Sequence, residues 1–201
     1  MKKQDQQVYQ FKIALAGISP QIWRRIQVPE DYTFWDLHVA IQTVMDWEGY
    51  HLHEFSVPNP KTRTVDAIGF PDEEFGREVL EGWKTNIAPY FSMTNKRAEY
   101  TYDFGDDWVH SVVLEKILPR DPKKKYPCCI AGKRNAPPED VGGVNGFKEF
   151  VAIMKDPEHE EHQEMADWCG EEYDPDEFDC ADVMFPDPLH MLKLALEDPD
   201  S

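Results

Sequence analysis

Residues 97–118, RAEYTYDFGDDWVHSVVLEKIL, hold two aromatic and β-branched runs that alternate in polarity, broken by a short acidic stretch around Gly105. Side chains alternate between the two faces of a strand, so a period of two on both sides of a turn predicts a hairpin. Gly105 is expected to supply the positive φ that the turn needs. A hairpin here makes the sheet antiparallel, and the neighbouring sequence extends it.

Upstream, VYQFKIAL (8–15) places Tyr9, Phe11, Ile13 and Leu15 on one face, and IWRRIQVP (22–29) repeats the pattern through Ile22, Ile26 and Val28. With Gly17 and Pro20 between them, these predict a second hairpin. The period then changes: Phe34, Leu37, Ile41, Val44 and Met45 form a helical stripe, which predicts a helix over 34–47. Thr33 with Asp36 makes a capping box and Gly49 a stop signal. YHLHEFSV (50–57) returns to period two as a third strand. Residues 58–90 show no clean period and read as loop with short elements.

Beyond the central hairpin, 119–146 reads as a long irregular segment carrying Lys123, Lys124, Lys125, Lys133 and Arg134. Three helical pieces follow. FKEFVAIMK is the first, and Asp156–Pro157 and Asp187–Pro188 each open one of the others as an N-cap and N1 pair. Strands early and helices late predict one α+β domain over 1–201. Its antiparallel sheet is built from hairpins, with one early helix and a helical, acidic C-terminal part from about residue 156.

The charge is unevenly spread. The 201 residues carry 21 basic and 39 acidic side chains. Residues 156–201 hold 17 of the acids against Lys193 alone, a net of −16, which leaves −2 for residues 1–155. Such a field repels a phosphate backbone, so no nucleic-acid partner is expected. No stretch approaches the roughly 20 apolar residues that span a bilayer, and MKKQDQQVYQ has no apolar run behind its lysines. A soluble cytoplasmic protein without a membrane partner is the expectation.

Cysteine and motif arithmetic narrows the chemistry. Cys128 and Cys129 are adjacent, which suits neither a relaxed disulfide nor paired ligation, and Cys169 and Cys180 complete no CxxC. GxGxxG, GxxxxGK[ST] and GxSxG are absent. His159 and His162 stand three apart, not four, and fit a solvated acidic helix face. The stretch from Asp174 puts Asp179 where a calcium loop needs glycine and Phe185 where it needs glutamate.

Two features remain. His51 and His53, at i and i+2 of the third strand, are expected to leave the same face. The hairpin adds Asp103, Asp106, Asp107, Trp108 and His110 as a candidate binding cluster. Mixed imidazole and carboxylate ligands suit a divalent transition metal, with His51, His53, Asp103, Asp107 and His110 as the candidate set. The competing reading is structural: an Asp at a glycine-containing turn commonly bonds its own backbone.

YTYDFGDDWVHSVVLEKIL followed by YPCCIAGKRNAPPEDVGGVNGFKEF resembles the Ri-plasmid open-reading-frame-three family, passengers of mobile elements without an established activity. IWRRIQVP, TFWDLHVAIQTVMDW, HLHEF and DWCGEEYDPDEFD are similar in the same order, so the resemblance covers residues 10–182. Asn135 and Ala136 stand where the family commonly carries a Cys before the Pro pair. The resolvase-like label sometimes attached to members implies a nucleophilic Ser among arginines and a basic DNA-binding domain, and neither is found. No cofactor is required by these patterns. The functional expectation is a non-enzymatic interaction module, docking a protein partner through the 119–138 loop, with a metal-dependent hydrolase as the alternative.

Overall fold

The computed structural model describes residues 7–71, 78–170 and 173–197. The elements run β1 (Gln7–Leu15), β2 (Trp23–Pro29), α1 (Phe34–Met45), β3 (His53–Pro58), β4 (Val65–Gly69) and β5 (Leu80–Glu81). They continue through β6 (Arg97–Tyr102), β7 (Trp108–Pro119), β8 (Cys128–Lys133), α2 (Gly143–Met154), α3 (His162–Cys169) and α4 (Pro188–Glu197). Together they make an α+β fold with one sheet, ordered β5-β4-β3-β6-β7-β1-β2-β8.

Hairpins build that sheet, as alternation requires. β1 pairs with β2, β3 with β4 and β6 with β7, all antiparallel. The two-residue pairing of β4 with β5 is parallel and makes the sheet mixed. One face is apolar: Phe11, Phe55, Tyr100 and Leu114 are buried there under the stripe Phe34, Leu37, Ile41, Val44 and Met45 of α1. Ring pairs tie helix to sheet, Phe34–Phe55 at 5.2 Å and Phe55–Tyr100 at 4.6 Å between centroids. On the other face Arg25 holds Glu115 through two hydrogen bonds of 2.6 and 2.9 Å. That division follows the period of two read from the sequence.

α1 starts on the predicted capping box: Thr33 Oγ1 accepts from the Asp36 amide at 3.1 Å, and Asp36 Oδ2 accepts from the Thr33 amide at 2.8 Å. Its end differs. Asp46, at φ 58°, takes the left-handed C-cap, and Gly49, at φ 78°, turns the chain further on. An aspartate can occupy that region because its short side chain costs little there.

The loop with short elements read over 58–90 holds β4, β5 and a 3-10 turn at Gly82–Lys84; residues 72–77 of that stretch lie outside the described residues. Two regions depart from the sequence reading. The 119–146 segment is not irregular throughout, since β8 pairs with β2 at the end of the sheet. The segment from Asp156 is only partly helical. Asp156 accepts from the Glu158 amide at 3.1 Å in a local turn, and α3 begins at His162. At the other Asp–Pro pair, Asp187 accepts from the Leu189 amide at 3.0 Å and α4 begins at Pro188, as expected.

The acidic segment docks on the body. Tyr173 donates to the Ala136 carbonyl at 2.9 Å, and Arg134 Nε reaches Asp176 at 3.0 Å. The buried Arg24 guanidinium lies 3.7 Å from the Phe178 ring centroid. Acid and base therefore meet within the chain, around the end of β8. Among the described residues, no helix is long and apolar enough to cross a membrane.

Candidate functional site

The β6–β7 turn places the acidic cluster. Asp103 and Asp107 take the left-handed conformation at φ 56° and 54°, so the positive φ falls on these aspartates and not on Gly105. Asp103 Oδ1 accepts from the Gly105 amide at 2.9 Å, and its carbonyl accepts from the Asp107 amide at 2.7 Å. The side chain thus closes the turn in the way the structural reading requires. Its second oxygen, Oδ2, lies 3.7 Å from His51 Nε2.

A second loop reaches this tip. Gly142 and Gly143 follow Asp140 at φ 89° and 66°, and all three are left-handed. The Gly142 amide donates to Asp106 Oδ2 at 3.1 Å. A Cβ on Gly143 would lie 2.5 Å from the Asp106 carbonyl oxygen, closer than carbon can approach, so glycine is required for the contact. Asp140 Oδ1 then sits 3.0 Å from His51 Nε2, and Tyr50 donates to Asp140 Oδ2 at 3.1 Å. Next to it Glu139 accepts from the Tyr102 hydroxyl and from the Glu48 amide, the latter at 2.8 Å. Burial and the neighbouring acids push the Tyr50 phenol up to about 12, and burial with Glu139 raises that of Tyr102.

His51, Asp103 and Asp140 therefore offer three ligand atoms within 4.8 Å of one another. They come from three separate chain segments. Asp103 is 8% exposed, His51 intermediate and Asp140 exposed, which leaves the trio one open side.

The remaining candidates lie elsewhere. β3 begins only at His53, and the chain bends at His51, so the two rings do not share a strand face. His53 is buried and stacks on His38 of α1 at 3.5 Å with 9° between planes. Burial drives the His53 imidazole down to about 3 and that of His38 well below its ordinary value, the latter helped by His53. His110 is fully buried, its Nδ1 is 2.9 Å from the Trp108 carbonyl, and burial lowers it to about 4. Trp108 packs in the core 5.9 Å from Trp47. Asp107 turns the chain, and Asp106 holds the glycine loop. These residues support the site; His53 and His110 are too far into the core to join it.

Sequence reasoning missed Asp140 and Glu139, although the acid pair before a glycine pair in PPEDVGG signals a loop that approaches another backbone closely. It also missed the polar cluster beneath α1. There His38 Nδ1 is 2.8 Å from the Tyr100 hydroxyl and Gln42 Nε2 is 2.7 Å from it.

Comparison with known proteins bears on the family and the fold. The family model described as plasmid pRiA4b ORF-3-like protein matches residues 7–182. The chain is 35% identical over 164 residues to "Uncharacterized protein y4hQ" of Sinorhizobium fredii (strain NBRC 101917 / NGR234), covering 81% of each. It is also similar to the crystal structure of protein of unknown function MM3350 from Methanosarcina mazei Go1. That match has 53% identity and a TM-score of 0.84, over 90% of this chain and 99% of the other.

Proposed function

For this chain, which belongs to the plasmid pRiA4b ORF-3-like protein family, we propose a binding module whose ligand is a divalent metal ion held by His51 Nε2, Asp103 Oδ2 and Asp140 Oδ1. The observation that carries the reading is the convergence of one ligand atom from each of the three residues within 4.8 Å. Ligand atoms about 2.0–2.2 Å from one tetrahedral ion lie roughly 3.3–3.6 Å apart. The 3.0 and 3.7 Å separations from His51 Nε2 bracket that spacing. Two carboxylates and a neutral imidazole match a doubly charged cation, and a mixed nitrogen and oxygen set suits zinc, manganese or iron. The turn supports preorganisation, because the Gly105 amide fixes one oxygen of Asp103 and leaves the other toward His51.

A metal-dependent hydrolase is the second reading, favoured by the exposed Asp140 side of the trio. An ion with an open position there would lower the pKa of a bound water and make it a nucleophile. The protein-partner reading keeps the exposed Lys123–Lys125 tip of the β7–β8 connection. Arg134, just past the far end of β8, is engaged within the chain by Asp176.

Metal analysis of protein purified without chelator tests the binding module. About one equivalent of a transition metal, lost in Asp140→Asn, is expected from a three-ligand site. Under about a tenth of an equivalent, with no uptake on adding zinc or manganese, would sink it. A metal-loaded protein that hydrolyses neither aryl esters nor aryl phosphates keeps the module and removes the hydrolase.

A further inference from the structure

A second site lies on the other side of Tyr50. Between α1 and α4 is a cleft of about 310 Å³, at the small end of the range for small-molecule sites, roughly 300–1,000 Å³. We infer that this cleft binds a protonated organic amine with an aromatic or apolar body.

The lining argues for that class. Trp35, Trp47 and Tyr50 bring three aromatic rings to it, and α4 closes it from above with Met191 and Leu194. Among the described residues no lysine or arginine lines it, while Glu48 stands in its wall. His38 also lines it but supplies no cation, because burial holds its imidazole neutral. The acids continue behind the wall, where Tyr50 bonds Asp140 and the Glu48 amide bonds Glu139. An anionic ligand would meet acid on this side and find no base. A cation would gain from both the acids and the indole rings.

Polar satisfaction points the same way. Gln42, on the cleft wall, is 5% exposed and spends its Nε2 on Tyr100, while its Oε1 is buried without a hydrogen-bond partner. A buried acceptor without a donor is unfavourable, and since this oxygen has no open surface, an ammonium N–H reaches it only when the Gln42 side chain turns toward the cleft. No residue of α4 is buried, Leu189 and Leu196 face solvent, and one hydrogen bond of 2.9 Å runs from Trp35 Nε1 to the Pro188 carbonyl. Little apolar burial holds the helix down, so it can yield to a ligand.

The test is a titration of the full chain with phenethylamine, phenylethanol and phenylacetate in the presence of a chelator, read by tryptophan fluorescence and by Tm. The chelator separates the cleft from the metal trio, so either reading can fail alone. Saturable binding of the amine about tenfold or more tighter than phenylacetate is expected from the cation–aromatic and acid contributions. Phenylethanol falls between them. Leu194→Arg, on the half-exposed roof, should abolish the amine response with little change in Tm, and Gln42→Leu should weaken it. Equal affinity for amine and acid, no saturation in the millimolar range, or a response that survives Leu194→Arg would overturn the inference.

Discussion

Removing the Asp103 carboxylate should separate its structural role from its chemical one. In Asp103→Ala the 2.9 Å hydrogen bond from the Gly105 amide is lost. Gly105 is exposed, so water can take over its amide, and the loss stays near the ordinary net value of about 1 kcal/mol rather than a full burial penalty. Alanine must also hold φ 56°, which costs roughly 1 kcal/mol more than for aspartate, whose side chain tolerates the left-handed region. The sum, about 2 kcal/mol, lowers Tm by about 4–8 °C in a chain of this size. Asp103→Asn keeps both the acceptor and the tolerance for positive φ, so its Tm without metal should stay within about 2 °C of wild type. It nevertheless removes a charged carboxylate from the proposed ligand set, and should lose the rise in Tm expected of the wild type with zinc or manganese. Differential scanning calorimetry with and without metal reads all six states. If the alanine variant melts with the wild type, or the asparagine variant falls as far as the alanine one, the account of the turn is wrong.

Two further outcomes are expected. Gly143→Ala must move the glycine loop off the Asp106 carbonyl and strain φ 66°; a loss of about 2 kcal/mol or more in urea denaturation is expected, and a wild-type midpoint would contradict the contact. Acidification should destabilise the fold through its buried histidines. His53 and His110 are depressed to about 3 and about 4 in the fold, against about 6.5 unfolded. The unfolded state therefore binds more protons as pH falls below about 6.5, and stability is lost progressively from there down through the folded values. Between pH 7 and 5 each contributes a loss of up to about 2 kcal/mol, so a urea midpoint unchanged over that interval would refute their burial as neutral rings.

What the sequence disclosed follows from what is local in it. The β1–β2 and β6–β7 hairpins and the start of α1 rest on alternation, a helical stripe and a capping box, all contained within about twenty residues, and each formed where expected. β8 rests on pairing with the distant β2, and CCIAGK carries no alternation to reveal it; β4 and β5 pair close by in the chain but are too short to show a clean period. Two of the three site residues were visible for the same reason. Asp103 lies in a recognisable turn, but its partner Asp140 arrives through a loop whose left-handed run at Asp140, Gly142 and Gly143 cannot be read from spacing. The pairing of His51 with His53 failed at a strand boundary: starting β3 at His53 sends one ring into the core against His38 and leaves the other to the acids.

The central claim is that His51, Asp103 and Asp140 hold one metal ion. Anomalous diffraction from crystals soaked in manganese or zinc measures it most directly. The account predicts a single strong peak bonded to His51 Nε2, Asp103 Oδ2 and Asp140 Oδ1 at about 2.0–2.2 Å, absent in Asp140→Asn. A peak at other residues, or none at saturating metal, would contradict it.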